Sequence, residues 1–174
     1  QQLCGAAWVH STASMESMFE RSFGSIYFEQ YDLSGTSTLS LQSEFELKRA
    51  VDTCLKLSPK GDCRIGEWNV SRVTNMRELF KDAAFFSSDI SKWDVSKVTD
   101  MTHMFSEAAS FQGNISNWDV SKVLDMSGML ACALVFQSDV SKWDVSKVTE
   151  MTGMFTQAKL FQSDVSKWDV SKVT

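Results

Sequence analysis

The sequence predicts an α/β solenoid, an array of 25-residue coils that each hold a short strand and a short helix. Three observations carry that expectation. Trp68, Trp93, Trp118, Trp143 and Trp168 stand 25 residues apart with no insertion between them, and self-similarity at a fixed period of this kind marks stacked architectures. Within each unit the apolar residues first recur at intervals of three and four, then alternate with polar ones. A segment this small cannot bury its own Phe, Trp and Met side chains, so its neighbours must do so.

Four full units run 68–92, 93–117, 118–142 and 143–167, and 168–174 opens a fifth that is cut short. The helix of each unit is read from Val98, Met101, Met104, Phe105 and Ala108, which share one helical face, with Thr99 or Ser96 as its N-cap. The strand is read from Phe111, Gly113 and Ile115 alternating with Gln112, Asn114 and Ser116. Pairing with the equivalent strand of the next coil, about 4.8 Å away, then aligns like residues in columns. The expected core columns are Trp68, Trp93, Trp118, Trp143 and Trp168, and Phe86, Phe111, Phe136 and Phe161. The Met stripe shares their register and reads as core packing, not as metal binding.

Ahead of the array, residues 44–67 read as an N-terminal cap. "EFELKRAVDTCLK" (44–56) places Leu47, Ala50, Val51, Cys54 and Leu55 on one helical face. Cys54 and Cys63 flank a short turn containing Pro and Gly, which predicts a local disulfide, while the pairing of Cys4 and Cys132 is open. Residues 1–43 read as a degenerate unit or the end of an earlier array, followed by a linker: "MESMFERS" echoes "MTHMFSEA". The chain begins at Gln1 without Met, as a processed chain or an excised piece would, and stops where another helix is due, which predicts a longer array.

A net charge of -5, with Lys and Asp interleaved, argues against a nucleic-acid groove or an anionic membrane face. No stretch has the apolar length of a membrane span. Asn69-Val-Ser and Asn114-Ile-Ser fit the N-glycosylation pattern and point, with the disulfide, to a secreted or cell-surface chain.

The motif F-x-x-D-[IV]-S-x-W-D-V-S-x-V-T-x-M-x-x-M-F, across residues 62–174, resembles the BspA-like surface proteins, the 26-residue-repeat or DUF285 family. The lead-in "ELKRAVDTCLKLSPKGDCRIGEWNVS" is similar to that of members from algae and other microbial eukaryotes. The resemblance implies a solenoid related to leucine-rich repeats, displayed on a cell surface or secreted, and used for adhesion or protein interaction. It implies no catalytic residues, because the family has no shared catalytic set.

Read directly, the residues offer little chemistry. His10 and His103 have no metal-ligand partners at the usual spacing, no nucleophile elbow or phosphate loop is present, and every unit carries the same Asp, so no acid–base pair stands apart. Neither catalytic residues nor a cofactor is expected. Asp94, Asp119, Asp144 and Asp169 read as turn formers whose carboxylates accept backbone N–H groups. Asp89, Asp139 and Asp164, with Asn114, form an outward column compensated by lysines, backbone donors or Ca²⁺. The expected binding face is Gln112, Asn114, Ser116, Gln137, Asp139, Ser141, Gln162, Asp164 and Ser166.

The function expected from these readings is a non-enzymatic extracellular or cell-surface repeat scaffold with a protein or glycan partner. Three alternatives stand beside it: a filament or cell-wall subunit associating through the solenoid ends, a glycan-binding or carbohydrate-active protein, and a cytosolic scaffold.

Overall fold

The computed structural model describes residues 40–174. The readings that fall on residues 1–39, including the degenerate unit, Cys4 and His10, lie outside the described residues.

One α-helix, α1 (Glu44–Leu57), opens the described chain. Ser43 is its N-cap and accepts from the Glu46 N–H at 3.2 Å, while the Glu46 carboxylate reaches back to the Gln42 N–H at 2.7 Å. These reciprocal bonds satisfy donors that a helix start otherwise leaves bare. Glu44 and Glu46 in the first turn and Lys56 in the last suit the helix dipole. Pro59 follows the end, where no further helical turn can form. Leu47, Val51 and Cys54 are the buried face, and Cys54 is disulfide-bonded to Cys63 with their Cα atoms 5.9 Å apart. On the other side Lys48 donates to the carbonyls of Glu78 and Leu79 at 2.9 and 3.4 Å, which ties α1 to the first 25-residue unit. A single 3-10 turn, Ile65–Glu67, then leads into Trp68.

Beyond that point the structure departs from the sequence-based expectation. Among the described residues there is no β-strand, and no helix follows the 3-10 turn. The strand-plus-helix solenoid is therefore corrected, and with it the likeness to leucine-rich repeats. The repeat scaffold for adhesion, its filament and cytosolic variants and association through solenoid ends rested on the same coils and fall with them.

Two local causes account for the missing elements. In the segment expected as helix, His103 and Glu107 have positive φ, as do Glu78 and Asp82, Gly128 and Cys132, and Gly153 and Gln157. A left-handed residue at every fourth position ends each incipient turn before an i→i−4 ladder can form. The backbone N–H groups alternate instead. Met104, Ser106 and Ala108 donate three residues back, to Met101, His103 and Phe105, at 3.0–3.1 Å. Met101, His103, Phe105 and Glu107 donate to Asp125, Ser127, Met129 and Ala131 of the following unit at 2.7–3.0 Å. Each left-handed non-Gly residue costs roughly 1–2 kcal/mol, and the bonds to the next unit hold it there. Only isolated parallel bridges result, Asn75↔Asp100, Asp100↔Asp125 and Asp125↔Glu150.

The segment expected as strand keeps its alternation, with Phe111 and Ile115 fully buried and Gln112 and Asn114 exposed. Two of its N–H groups go to side chains, and that of Phe111 closes back on the Ala108 carbonyl at 3.0 Å. The Ile115 N–H donates to Ser138 Oγ at 3.0 Å and the Ser116 N–H to Asn114 Oδ1 at 3.1 Å. With these donors spent on side chains and on the preceding turn, the segment builds no ladder.

The interior is aromatic and aliphatic. Phe86, Phe111, Phe136 and Phe161 stack at centroid distances of 5.7, 5.9 and 6.2 Å, and Phe105 lies 4.0 Å from Phe111. Each buried Phe contributes roughly 1.5–3 kcal/mol by area. Trp68, Trp93, Trp118 and Trp143 are buried, whereas Trp168 and Phe161 in the last unit are half-buried. Trp93, Trp143 and Trp168 donate Nε1–H to the carbonyls of Ile65, Ile115 and Val140 at 2.9–3.2 Å, which satisfies the polar end of these three indoles.

Candidate functional site

The outward polar residues are fixed by turns in which an Asp or Asn side chain accepts the N–H two residues on. Asp89 Oδ1 takes the Ser91 N–H at 2.9 Å, Asn114 that of Ser116 at 3.1 Å, Asp139 that of Ser141 at 2.9 Å and Asp164 that of Ser166 at 3.0 Å. A second set follows each Trp, where Asp94, Asp119, Asp144 and Asp169 bind Ser96, Ser121, Ser146 and Ser171 at 3.0–3.1 Å. A third set, Asn75–Arg77, Asp100–Thr102 and Asp125–Ser127, holds at 2.8 Å. Asx-turns of this kind satisfy the backbone locally.

These bonds set the charge of the face. The Ser91 N–H, and then the Ser91 hydroxyl, hold the Asp89 carboxyl below its ordinary value. Ser141 and Ser166 do the same for Asp139 and Asp164. For Asp94, Asp119, Asp144 and Asp169 the serine hydroxyl leads and the N–H follows. Donors that favour the ionised form keep these groups as carboxylates at neutral pH. Backbone N–H groups lead the compensation of this column, serine hydroxyls follow, and Lys92 and Lys142 add to it at Asp89 and Asp139. Among the described residues, no three His, Cys, Asp or Glu side chains gather in a way that could hold a metal ion.

Of the residues expected to form a binding face, Gln112 and Asn114 line a cleft of about 500 Å³ together with Ser87, Asp89, Ser91, Ser110 and Gly113. Gln137, Asp139, Gln162, Asp164 and Ser166 are exposed along the same sequence positions of later units, with Ser116 and Ser141 half-buried, and none of them lines that cleft. Asn69 and Asn114, the two glycosylation-pattern asparagines, are exposed.

Sequence reasoning treated Gly113 as one more inward position. It is where the units differ most in chemistry. Ser138 Oγ accepts the Ile115 N–H at 3.0 Å and faces Asn114 Oδ1 at 3.4 Å, and Ser163 Oγ accepts the Val140 N–H at 3.0 Å and donates to Asp139 Oδ1 at 2.9 Å. The equivalent residue for Ile90 and Asp89 is Gly113, which has no hydroxyl. A Cβ on Gly113 would lie 2.5 Å from Cε2 of Phe111, so the backbone approaches the ring too closely for a side chain. The buried Trp118 Nε1 has no partner, while Trp93, Trp143 and Trp168 donate to the residue 28 positions earlier. The signal for this break was in the sequence: Gly stands where Ser88, Ser138 and Ser163 do in the other units.

His103 is half-buried, with Nδ1 buried and unpaired and its imidazole against Gly128. Among the described residues, no helix is long and apolar enough to cross a membrane.

No curated protein and no solved structure matches the chain. A family model described as "Mycoplasma protein of unknown function, DUF285" matches residues 13–131 and 114–174. With its sequence motif and this match over most of its length, the chain belongs to the DUF285 family.

Proposed function

We propose that this chain is a non-enzymatic binding module, secreted or held at a cell surface, that docks a protein or glycan partner on the polar face running through Gln112, Asn114, Gln137, Asp139, Gln162 and Asp164. The observation that carries the reading is the state of the carboxylates. Every Asp with a shifted titration on this face is shifted down and bound to a turn, so the face presents fixed anions and hydroxyls with no raised-pKa acid for proton transfer. Exposed Gln112, Gln137 and Gln162 add adaptable amides beside them. The Cys54–Cys63 disulfide supports an oxidising compartment. The lead-in segment supports kinship with the family's algal and other microbial-eukaryote members.

Binding to protein and glycan arrays tests the reading, with the variant Gln112→Ala/Gln137→Ala/Gln162→Ala as the control and a generic hydrolase screen alongside. Binding that the triple variant loses, with no turnover, is the expected result. Turnover of any substrate, or binding that the triple variant keeps intact, overturns it.

A further inference from the structure

Among the described residues, nine turns share one form, in which an Asp or Asn side-chain oxygen accepts the N–H of a serine two residues on. Seven of these acceptors are Asp, and the exceptions are Asn69 and Asn114. The turn itself does not call for an amide. Asn69 holds the Ser71 N–H at 3.1 Å, the same distance at which Asp94 holds Ser96 and Asp169 holds Ser171. What Asn adds is a nitrogen. Because the backbone N–H must meet an oxygen, the turn fixes the carboxamide with Oδ1 toward the backbone and Nδ2 away from it. Asn69 is exposed, and among the described residues nothing accepts from its Nδ2. Asn75 is the contrast: it is half-buried, spends Nδ2 on Asp100 Oδ2 at 3.5 Å, and is followed by Met and Arg.

The residue that closes the turn also completes an acceptor triplet. Asn69-Val70-Ser71 has the Asn-X-Ser form to which glycans are attached, and the Ser71 N–H is the donor that orients the Asn69 amide. The turn needs only these three residues, so it forms without help from distant parts of the chain. The Cys54–Cys63 disulfide, a few residues earlier, calls for the same oxidising compartment. Asn69 sits where the cap joins the first unit, with its carbonyl accepting the Leu41 N–H at 3.0 Å, and it does not line the cleft around Gln112.

We propose that Asn69 carries an N-linked glycan. Its Nδ2 attacks the anomeric carbon of a sugar held on a lipid pyrophosphate. The N–C bond forms as the bond from that carbon to the pyrophosphate oxygen breaks, the oxygen keeps the electron pair, and the amide nitrogen gives up one proton. The proposal goes beyond the docking face and does not depend on it. Asn114 makes the same turn with Ser116 at 3.1 Å, but its Oδ1 also faces Ser138 Oγ at 3.4 Å and it lines the cleft beside Gln112. A glycan there would cover the docking face, so the docking reading expects Asn114 bare.

The test is mass spectrometry of the full chain isolated from its source organism and digested with trypsin. Cleavage after Arg64 and Arg72 leaves Asn69 on the peptide 65–72, and cleavage after Lys97 and Lys122 leaves Asn114 on the peptide 98–122. The expected result is a hexose and N-acetylhexosamine increment on 65–72, placed at Asn69 by fragmentation, with 98–122 at its unmodified mass. Asn69→Asp and Ser71→Ala, secreted from the same organism, should each lose the whole increment. Both keep the turn, the first because Asp serves at Asp94, and the second because the donor is a backbone N–H. A bare 65–72 peptide in the source protein, a sugar placed on Ser71, or an increment that survives in either variant overturns the proposal. A glycan on 98–122 overturns the docking face instead, so the two readings fail separately.

Discussion

Gly128 lies directly against the imidazole of His103: a Cβ at residue 128 would stand 2.2 Å from His103 Nδ1. Gly128 also has φ of +59°, in the left-handed region. The two facts together make this glycine far less replaceable than its counterpart Gly153. There φ is +66°, but a Cβ would meet only Thr156 Oγ1 at 3.2 Å. Gly128→Ala is expected to cost about 2–4 kcal/mol, from backbone strain plus overpacking. Gly153→Ala should cost about 1 kcal/mol, from strain alone. Urea denaturation of the two variants checks the order, and Gly128→Ala/His103→Ala should recover part of the loss.

The same position explains how much of the fold could be read beforehand. Glu78, His103, Gly128 and Gly153 occupy one place in four units, in the middle of the segment read as helix. Two glycines there were the available sign that the place needs positive φ, and the three-and-four spacing of Val98, Met101, Met104, Phe105 and Ala108 outweighed it. That spacing also fits a series of turns closing three residues back, so periodicity alone could not separate the two. Alternation around Phe111 and Ile115 misled in a parallel way, since an alternating segment is a strand only if its N–H groups face another backbone. What was legible were interactions local in sequence. These include the Cys54–Cys63 disulfide across nine residues, the helix over Glu44–Leu57, and carboxylates accepting the N–H two residues on. Gly113 lacks the hydroxyl that Ser138 and Ser163 seat by contacts 23–24 residues away, and no short window contains those contacts.

The turn carboxylates predict a dependence on pH. Asp89, Asp94, Asp119, Asp139, Asp144, Asp164 and Asp169 are all held below the ordinary value of 3.8 in the folded chain. A group depressed on folding adds stability that is complete above its unfolded pKa and lost as pH falls through its folded one. Thermal stability should thus vary little from these groups above about pH 5 and drop below pH 3.8. Melting temperatures measured from pH 7 down to pH 2 provide the check, with Asp94→Asn reducing the slope.

Asp94 and Ser96 supply a mutational test of the turns themselves. Asp94→Ala removes the acceptor of the Ser96 N–H and should destabilise by about 1 kcal/mol. Asp94→Asn keeps an acceptor oxygen, as Asn69 does for Ser71 at 3.1 Å, and should stay close to the parent chain. Equal losses in the two variants would assign the effect to charge.

Burial predicts a gradient along the phenylalanine stack. Phe111 is fully buried between Phe86 and Phe136, and Phe111→Ala should cost about 3–5 kcal/mol. Phe161 is only half-buried, so Phe161→Ala should cost clearly less. Chemical denaturation midpoints at equal m-values measure the difference.

Reduction of the Cys54–Cys63 bond should release α1 from the 3-10 turn that follows. The loop spans nine residues, and closing a loop of that size contributes about 2–3 kcal/mol. The expected outcome for Cys54→Ala/Cys63→Ala is a lower melting temperature with weaker hydrogen-exchange protection in α1 than around Phe105.

The central claim, that the 25-residue units are successive turns bonded to the next unit and not helices, is tested most directly by scalar couplings across hydrogen bonds. NMR should show coupling from the His103 nitrogen to the Ser127 carbonyl and from the Phe105 nitrogen to the Met129 carbonyl, bonds of 2.8 Å each. Coupling from the Phe105 nitrogen to the Met101 carbonyl, four residues back, would contradict it and restore the helix.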